Sequence, residues 1–90
     1  MYRIKVLING RVQGVGFRYF VCTLASRFNL TGFVKNLDNG DVYLEAQGSK
    51  ENLEEFTVLL KEGNKFSTVL GVDIDKTDIV PSEHKFKIKY

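Results

Sequence analysis

The sequence predicts an α+β fold of ferredoxin-like type. This is a split βαβ (βαββαβ) sandwich, an antiparallel sheet with two helices on one face and a short extra C-terminal strand. Three observations predict it. Two segments carry apolar residues at helical spacing, the segments around them alternate apolar and polar residues, and the two kinds follow one another as β-α-β-β-α-β. A strand–helix–strand crossover is right-handed, so two such units interleave into one sheet with both helices on the same side.

Tyr2, Ile4, Val6 and Ile8 alternate with Arg3, Lys5 and Asn9, the pattern of a strand with one buried face; Leu7 is the exception. Gly10 to Gly16 holds three glycines in seven residues and reads as a loop. Phe17, Phe20, Val21, Leu24 and Phe28 then form the stripe of a core-facing helix, with Asn29 and Gly32 bracketing its end. Residues 31–37 and 41–47 read as two strands joined by Leu37-Asp38-Asn39-Gly40. The Asn-Gly pair is typical of a tight hairpin turn, because both residues tolerate positive φ. Ser49 is a candidate N-cap ahead of Glu51, Glu54 and Glu55, whose charges suit the positive end of a helix dipole. Leu53, Phe56, Leu59 and Leu60 form the second helical stripe, and Gly63 suits the position after its end. Leu70, Val72 and Ile74 alternate as a fourth strand, and Phe86, Ile88 and Tyr90 as a fifth.

Composition narrows the classes. Ninety residues suit one domain over 1–90, and 43% apolar with 27% charged residues excludes disordered and fibrous chains. One cysteine permits no internal disulfide, and no Cys/His cluster offers a zinc site, so no metal is expected. The Met1–Lys5 segment has no apolar signal core, and no apolar run approaches the ~20 residues of a membrane helix. A cytoplasmic protein without a membrane partner is expected. Thirteen basic against eleven acidic residues is too mild a bias to imply nucleic acid.

The segment Gly10-Arg11-Val12-Gln13-Gly14-Val15-Gly16-Phe17-Arg18 leaves a strand and enters a helix. Unpaired amides and the helix dipole favour an anion there, and glycines let the backbone curl into a nest. Arg18 adds a planar cationic fork that can grip two phosphoryl oxygens. The spacing excludes two phosphate loops. A Walker A loop counted from Gly10 puts Val15-Gly16 where Gly-Lys belongs, and a dinucleotide fingerprint from Gly14 and Gly16 meets Tyr19 at its third small position. On these residues alone, an ordinary connection with glycines in tight turns accounts equally well for the segment.

A second constellation separates the two readings. Gly32-Phe33-Val34-Lys35-Asn36 is followed by Gly40-Asp41-Val42 and then Gly48. Together with Gly10–Arg18 and the ending Phe86–Tyr90, these runs resemble the acylphosphatase family over essentially the whole chain. The resemblance implies a metal- and cofactor-independent hydrolase that splits the carboxyl–phosphate bond of small acyl phosphates and releases inorganic phosphate. It assigns phosphoryl binding to Arg18, orientation of the attacking water to Asn36, and the backbone cradle to Val12, Gln13, Gly14 and Val15. Similar domains occur inside larger proteins, but this chain stands alone with both Arg18 and Asn36, so a free-standing enzyme is expected, and with no long apolar surface stripe left unexplained a monomer is expected.

The remaining polar residues have plainer readings. Cys22 lies beside the first apolar stripe, His84 is expected in a solvated loop, and Lys85, Lys87 and Lys89 protect an edge strand from pairing with another chain. An RNA-binding module shares this arrangement of elements and needs stacking aromatics on its two central strands. Here the outward positions of the first strand are Arg3, Lys5, Leu7 and Asn9, and the third offers Tyr43 alone. That is a poor platform, and no nucleic-acid partner is expected.

Overall fold

The structure, a computed structural model, describes residues 1–90. Its elements are β1 (Tyr2–Arg11), α1 (Phe17–Arg27), β2 (Thr31–Asn36), β3 (Val42–Gly48), α2 (Lys50–Glu62), β4 (Thr68–Thr77) and β5 (Phe86–Lys89). The sheet order is β4-β1-β3-β2-β5. The four strands of the βαββαβ unit pair antiparallel, as the pattern predicts. β5 joins alongside β2 in parallel, making the five-stranded sheet mixed. Alternation places a residue on a face but does not choose its strand's partner, so this last pairing is not contained in the pattern.

Val6 and Ile8 of β1, Val34 of β2, and Val42, Leu44 and Ala46 of β3 meet Phe17, Val21, Leu24 and Ala25 of α1 and Leu53, Phe56 and Leu60 of α2. These residues are all 5% exposed or less and form one core between the sheet and both helices. Burying a large apolar side chain contributes about 1.5–3 kcal/mol. The α1 stripe therefore holds that helix, and the loop before it, firmly against the sheet. α1 ends in a Schellman arrangement: the amides of Asn29 and Leu30 donate to the carbonyls of Ser26 and Ala25, with Asn29 left-handed at φ 55°. α2 begins at Ser49, whose hydroxyl accepts from the Asn52 amide at 3.1 Å. It ends at Gly63, with φ 75°.

Three local details go beyond the pattern or against it. The β2–β3 turn puts only Gly40 at positive φ, 97°, and leaves Asn39 at negative φ. The Gly40 amide closes on the Leu37 carbonyl and the Leu37 amide on the Asp41 carbonyl, giving a longer turn in which one residue absorbs the positive φ. Leu70 leaves the apolar face, because the β1–β4 register slips between Asn9 and Gly10 and throws it outward, 78% exposed. Arg3, an outward residue of β1, is only 3% exposed. The segment after β4 folds over it, with Glu83 binding Arg3 at 2.7 Å and the Val80 amide donating to Gln47 Oε1 at 2.8 Å.

Candidate active site

The glycine-rich connection leaves β1 after Arg11 and covers residues 12–16. Gly14 and Gly16 both have φ 73°, a left-handed conformation that side chains disfavour, and a Cβ at either would meet nothing within 4 Å. Space is therefore open beyond the curl. Gly16 is also the N-cap of α1, and no side chain caps that helix. The contrast with the Ser49 cap of α2 is direct.

The hydrogen bonding of this segment is its most informative property. No backbone N–H from Val12 through Tyr19 donates to a protein acceptor; the first amide to pair is that of Phe20, with the Gly16 carbonyl at 3.0 Å. A run of free donors at a helix N-terminus has the charge and geometry that suit an anion.

Arg18 and Asn36 line one cavity of about 320 Å³ together with Val12, Gly14, Gly16, Phe17, Tyr19, Ile88 and Tyr90. Arg18 lies in the first turn of α1 and Asn36 ends β2, on the helix-facing phase of that strand with Val34. The Asn36 Oδ1 atom is buried and has no protein donor. An unpaired buried carbonyl is costly unless something donates to it. The Arg18 guanidinium stands 4.9 Å from the centroid of the Tyr90 ring. No carboxylate, imidazole or thiol lines this cavity. A groove of about 370 Å³ between α2 and the β1–β4 edge is lined by Tyr2, Ile4, Leu53 and Ile74 and contains none of the free amides.

Of the residues singled out in the sequence, Arg18, Asn36, Val12 and Gly14 come together at the cavity; the Gln13 and Val15 side chains do not line it. Val12 is almost fully buried and anchors the loop in the core. The Gln13 amide turns to the β2–β3 turn, where Nε2 donates to the carbonyls of Leu37 and Asp41, both at 2.8 Å. Gln13 thus ties the loop to the residue that follows Asn36. Ile88 and Tyr90 are lining residues that the sequence reading left unassigned. Their shared alternation with Phe86 along and just past β5 is a signal, but using it requires knowing that β5 lies beside β2.

Cys22 is half-buried against the core, and burial pushes its thiol up, away from the thiolate form. His84 is exposed. Lys87 and Lys89 project from an edge strand, and the Lys89 ammonium sits 3.8 Å from the Phe33 ring centroid.

Free loop amides, a guanidinium and a carboxamide around one cavity define a small split-βαβ protein equipped to receive an oxyanion. A family model described as Acylphosphatase matches residues 4–88. The Clostridium beijerinckii acylphosphatase is 44% identical over 90 residues, covering 100% of each chain. The crystal structure of acylphosphatase from Bacillus subtilis is similar at a TM-score of 0.96 and 39% identity, covering 100% of each chain. Full-length HypF in its phosphate- and nucleotide-bound form contains a similar unit, with a TM-score of 0.87 and 30% identity. That match covers 99% of this chain and 12% of HypF. The chain belongs to the acylphosphatase family.

Proposed function

We propose that this protein hydrolyses small acyl phosphates to a carboxylate and inorganic phosphate in the cavity between the 12–16 loop, Asn36 and Tyr90. The observation that carries the reading is the run of unpaired amides from Val12 to Tyr19 beside Arg18. These donors match the charge of a phosphoryl group, which grows on its equatorial oxygens in a loose transition state.

Water attacks phosphorus while the bond to the carboxylate oxygen breaks, and the carboxylate leaves with the electron pair. A carboxylate with a conjugate-acid pKa of about 4–5 needs little protonation as it departs. The lack of an acidic group in the cavity is therefore consistent with the chemistry. Asn36 Oδ1 accepts a hydrogen bond from the water and aligns it, but a carboxamide is too weak a base to deprotonate it. The water's proton passes to a phosphoryl oxygen of the substrate. Ile88 and Tyr90 supply an apolar wall for the acyl part.

The reading takes residues 1–90 as one domain acting as a cytoplasmic monomer, without a metal, nucleic-acid or membrane partner. It is tested by hydrolysis of benzoyl phosphate in EDTA, with a phosphate monoester as control. Rapid loss of the acyl phosphate with the monoester untouched supports it. Phosphate binding without turnover favours a non-catalytic anion-binding module, and binding of single-stranded RNA without hydrolysis favours an RNA-binding one.

A further inference from the structure

We propose that Asn64, in the α2–β4 connection, is a positioning residue that sets the orientation of the anion-binding loop. The inference rests on the reading of that loop as the phosphate cradle. Asn64 is distant in sequence, yet its Nδ2 donates to the Val15 carbonyl at 2.9 Å. This is the one side-chain hydrogen bond received by residues 12–16. The Val15–Gly16 peptide is trans and planar, so its carbonyl and its N–H point in opposite directions. Holding the Val15 oxygen against Asn64 therefore fixes where the Gly16 N–H points, and that N–H is among the unpaired donors.

The tether is itself braced. The Asn64 amide donates to Ser67 Oγ at 2.9 Å, and the Ser67 hydroxyl and amide donate back to the Asn64 carbonyl at 3.1 and 3.2 Å. Val69, just beyond, packs on the core. Gln13 pins the other end of the loop to the β2–β3 turn. The cradle is thus held at two points, by Gln13 to the β2–β3 turn and by Asn64 to the α2–β4 connection. Without Asn64, the two left-handed glycines on either side of Val15 leave this peptide free to rotate.

The test compares wild type with Asn64→Leu, close in shape but unable to donate, and with Asn64→Ala in case the leucine variant fails to fold. Three quantities are read: inhibition by inorganic phosphate, kcat and KM for benzoyl phosphate, and backbone ¹⁵N order parameters. We expect phosphate inhibition and kcat/KM to weaken by about tenfold, less than the ~10²-fold that a full ångström of misplacement can cost. Order parameters should fall at Gly14 and Gly16 and stay unchanged at core amides such as Val34. Unchanged phosphate inhibition and order parameters, or order parameters lowered uniformly through the core, overturns the proposal. A wild-type chain that neither binds phosphate nor turns over refutes the phosphate reading; order parameters at Gly14 and Gly16 then still decide whether Asn64 holds the loop.

Discussion

The Tyr90 ring faces the Arg18 guanidinium, 4.9 Å from ring centroid to Cζ. The two residues lie far apart in sequence, in the first turn of α1 and just past the end of β5, and meet because β5 docks parallel to β2. A cation over an aromatic face gains about 0.5–1 kcal/mol at an exposed site. We expect Tyr90→Ala to raise KM and weaken phosphate inhibition by roughly three- to fivefold through a less ordered Arg18. Tyr90→Phe keeps the ring and should match wild type. Equal losses in both variants would place the effect in the hydroxyl instead.

Arg18 itself carries a larger share. Removing a donor aimed at developing charge costs about 10²–10³-fold in rate, and Arg18→Ala should lose at least that much with benzoyl phosphate. Its circular dichroism and unfolding midpoint should stay close to wild type, because the side chain is half-buried at the cavity and outside the core. Near-normal turnover would remove Arg18 from the mechanism.

Asn36→Ala should separate turnover from binding. If Asn36 Oδ1 aligns water, kcat falls while phosphate inhibition is largely kept. The reverse result, lost phosphate affinity with turnover preserved, would make Asn36 a phosphate ligand.

The opposite face of the sheet should govern the dependence of stability on pH. Arg3 Nε donates to Glu45 Oε1 at 2.8 Å, and Tyr43 donates its hydroxyl to Glu45 Oε2 at 2.7 Å. Burial pushes the Glu45 carboxyl up, but these hydrogen bonds and the Arg3 and Lys89 charges outweigh it and hold the carboxyl below its ordinary 4.5. Its stabilisation is complete above 4.5 and is lost as pH falls through the lower folded value. Tyr43 behaves oppositely. Burial first, then the bond to Glu45, pushes its hydroxyl from 10.0 up to about 12. That stabilisation is complete below pH 10 and is lost as pH rises toward 12. Urea midpoints across pH should therefore fall at both extremes, and Tyr43→Phe should flatten both. An unchanged alkaline limb in Tyr43→Phe would contradict this.

Arg3 is the hub of that face. Arg3→Ala strands Glu45 and Glu83 and should destabilise the fold by about 3 kcal/mol, the low end for breaking a buried pair because both carboxylates keep some solvent. Chemical denaturation measures it directly. A change under 1 kcal/mol, within what an exposed ion pair contributes, would mean that the pair is effectively solvated.

Much of this was legible in the residues. The helical stripes beginning at Phe17 and Leu53, and the alternations from Ile4 to Ile8 and from Val42 to Ala46, record burial against one core, which is what periodicity reports. Arg18 and Asn36 were legible because two fixed-spacing runs carry them. What escaped depends on contacts that no local period encodes. The docking of β5, which brings Tyr90 to Arg18, is a choice of partner strand. The exposure of Leu70 follows from a bulge. The burial of Arg3, an outward position of the first strand, comes from an irregular segment that has no pattern, and the bond from Asn64 to Val15 joins two loops distant in sequence.

Under the proposed function, phosphate sits on the free amides between Gly14 and Arg18. Titration of ¹⁵N-labelled protein with inorganic phosphate, followed by amide chemical shifts, tests it most directly. The amides of Gly14, Val15, Gly16, Phe17 and Arg18 should move together along one saturable curve, and Arg18→Ala should weaken that curve. Movement confined to lysine-bearing positions such as Lys35, Lys87 and Lys89, with the loop amides still, would contradict it.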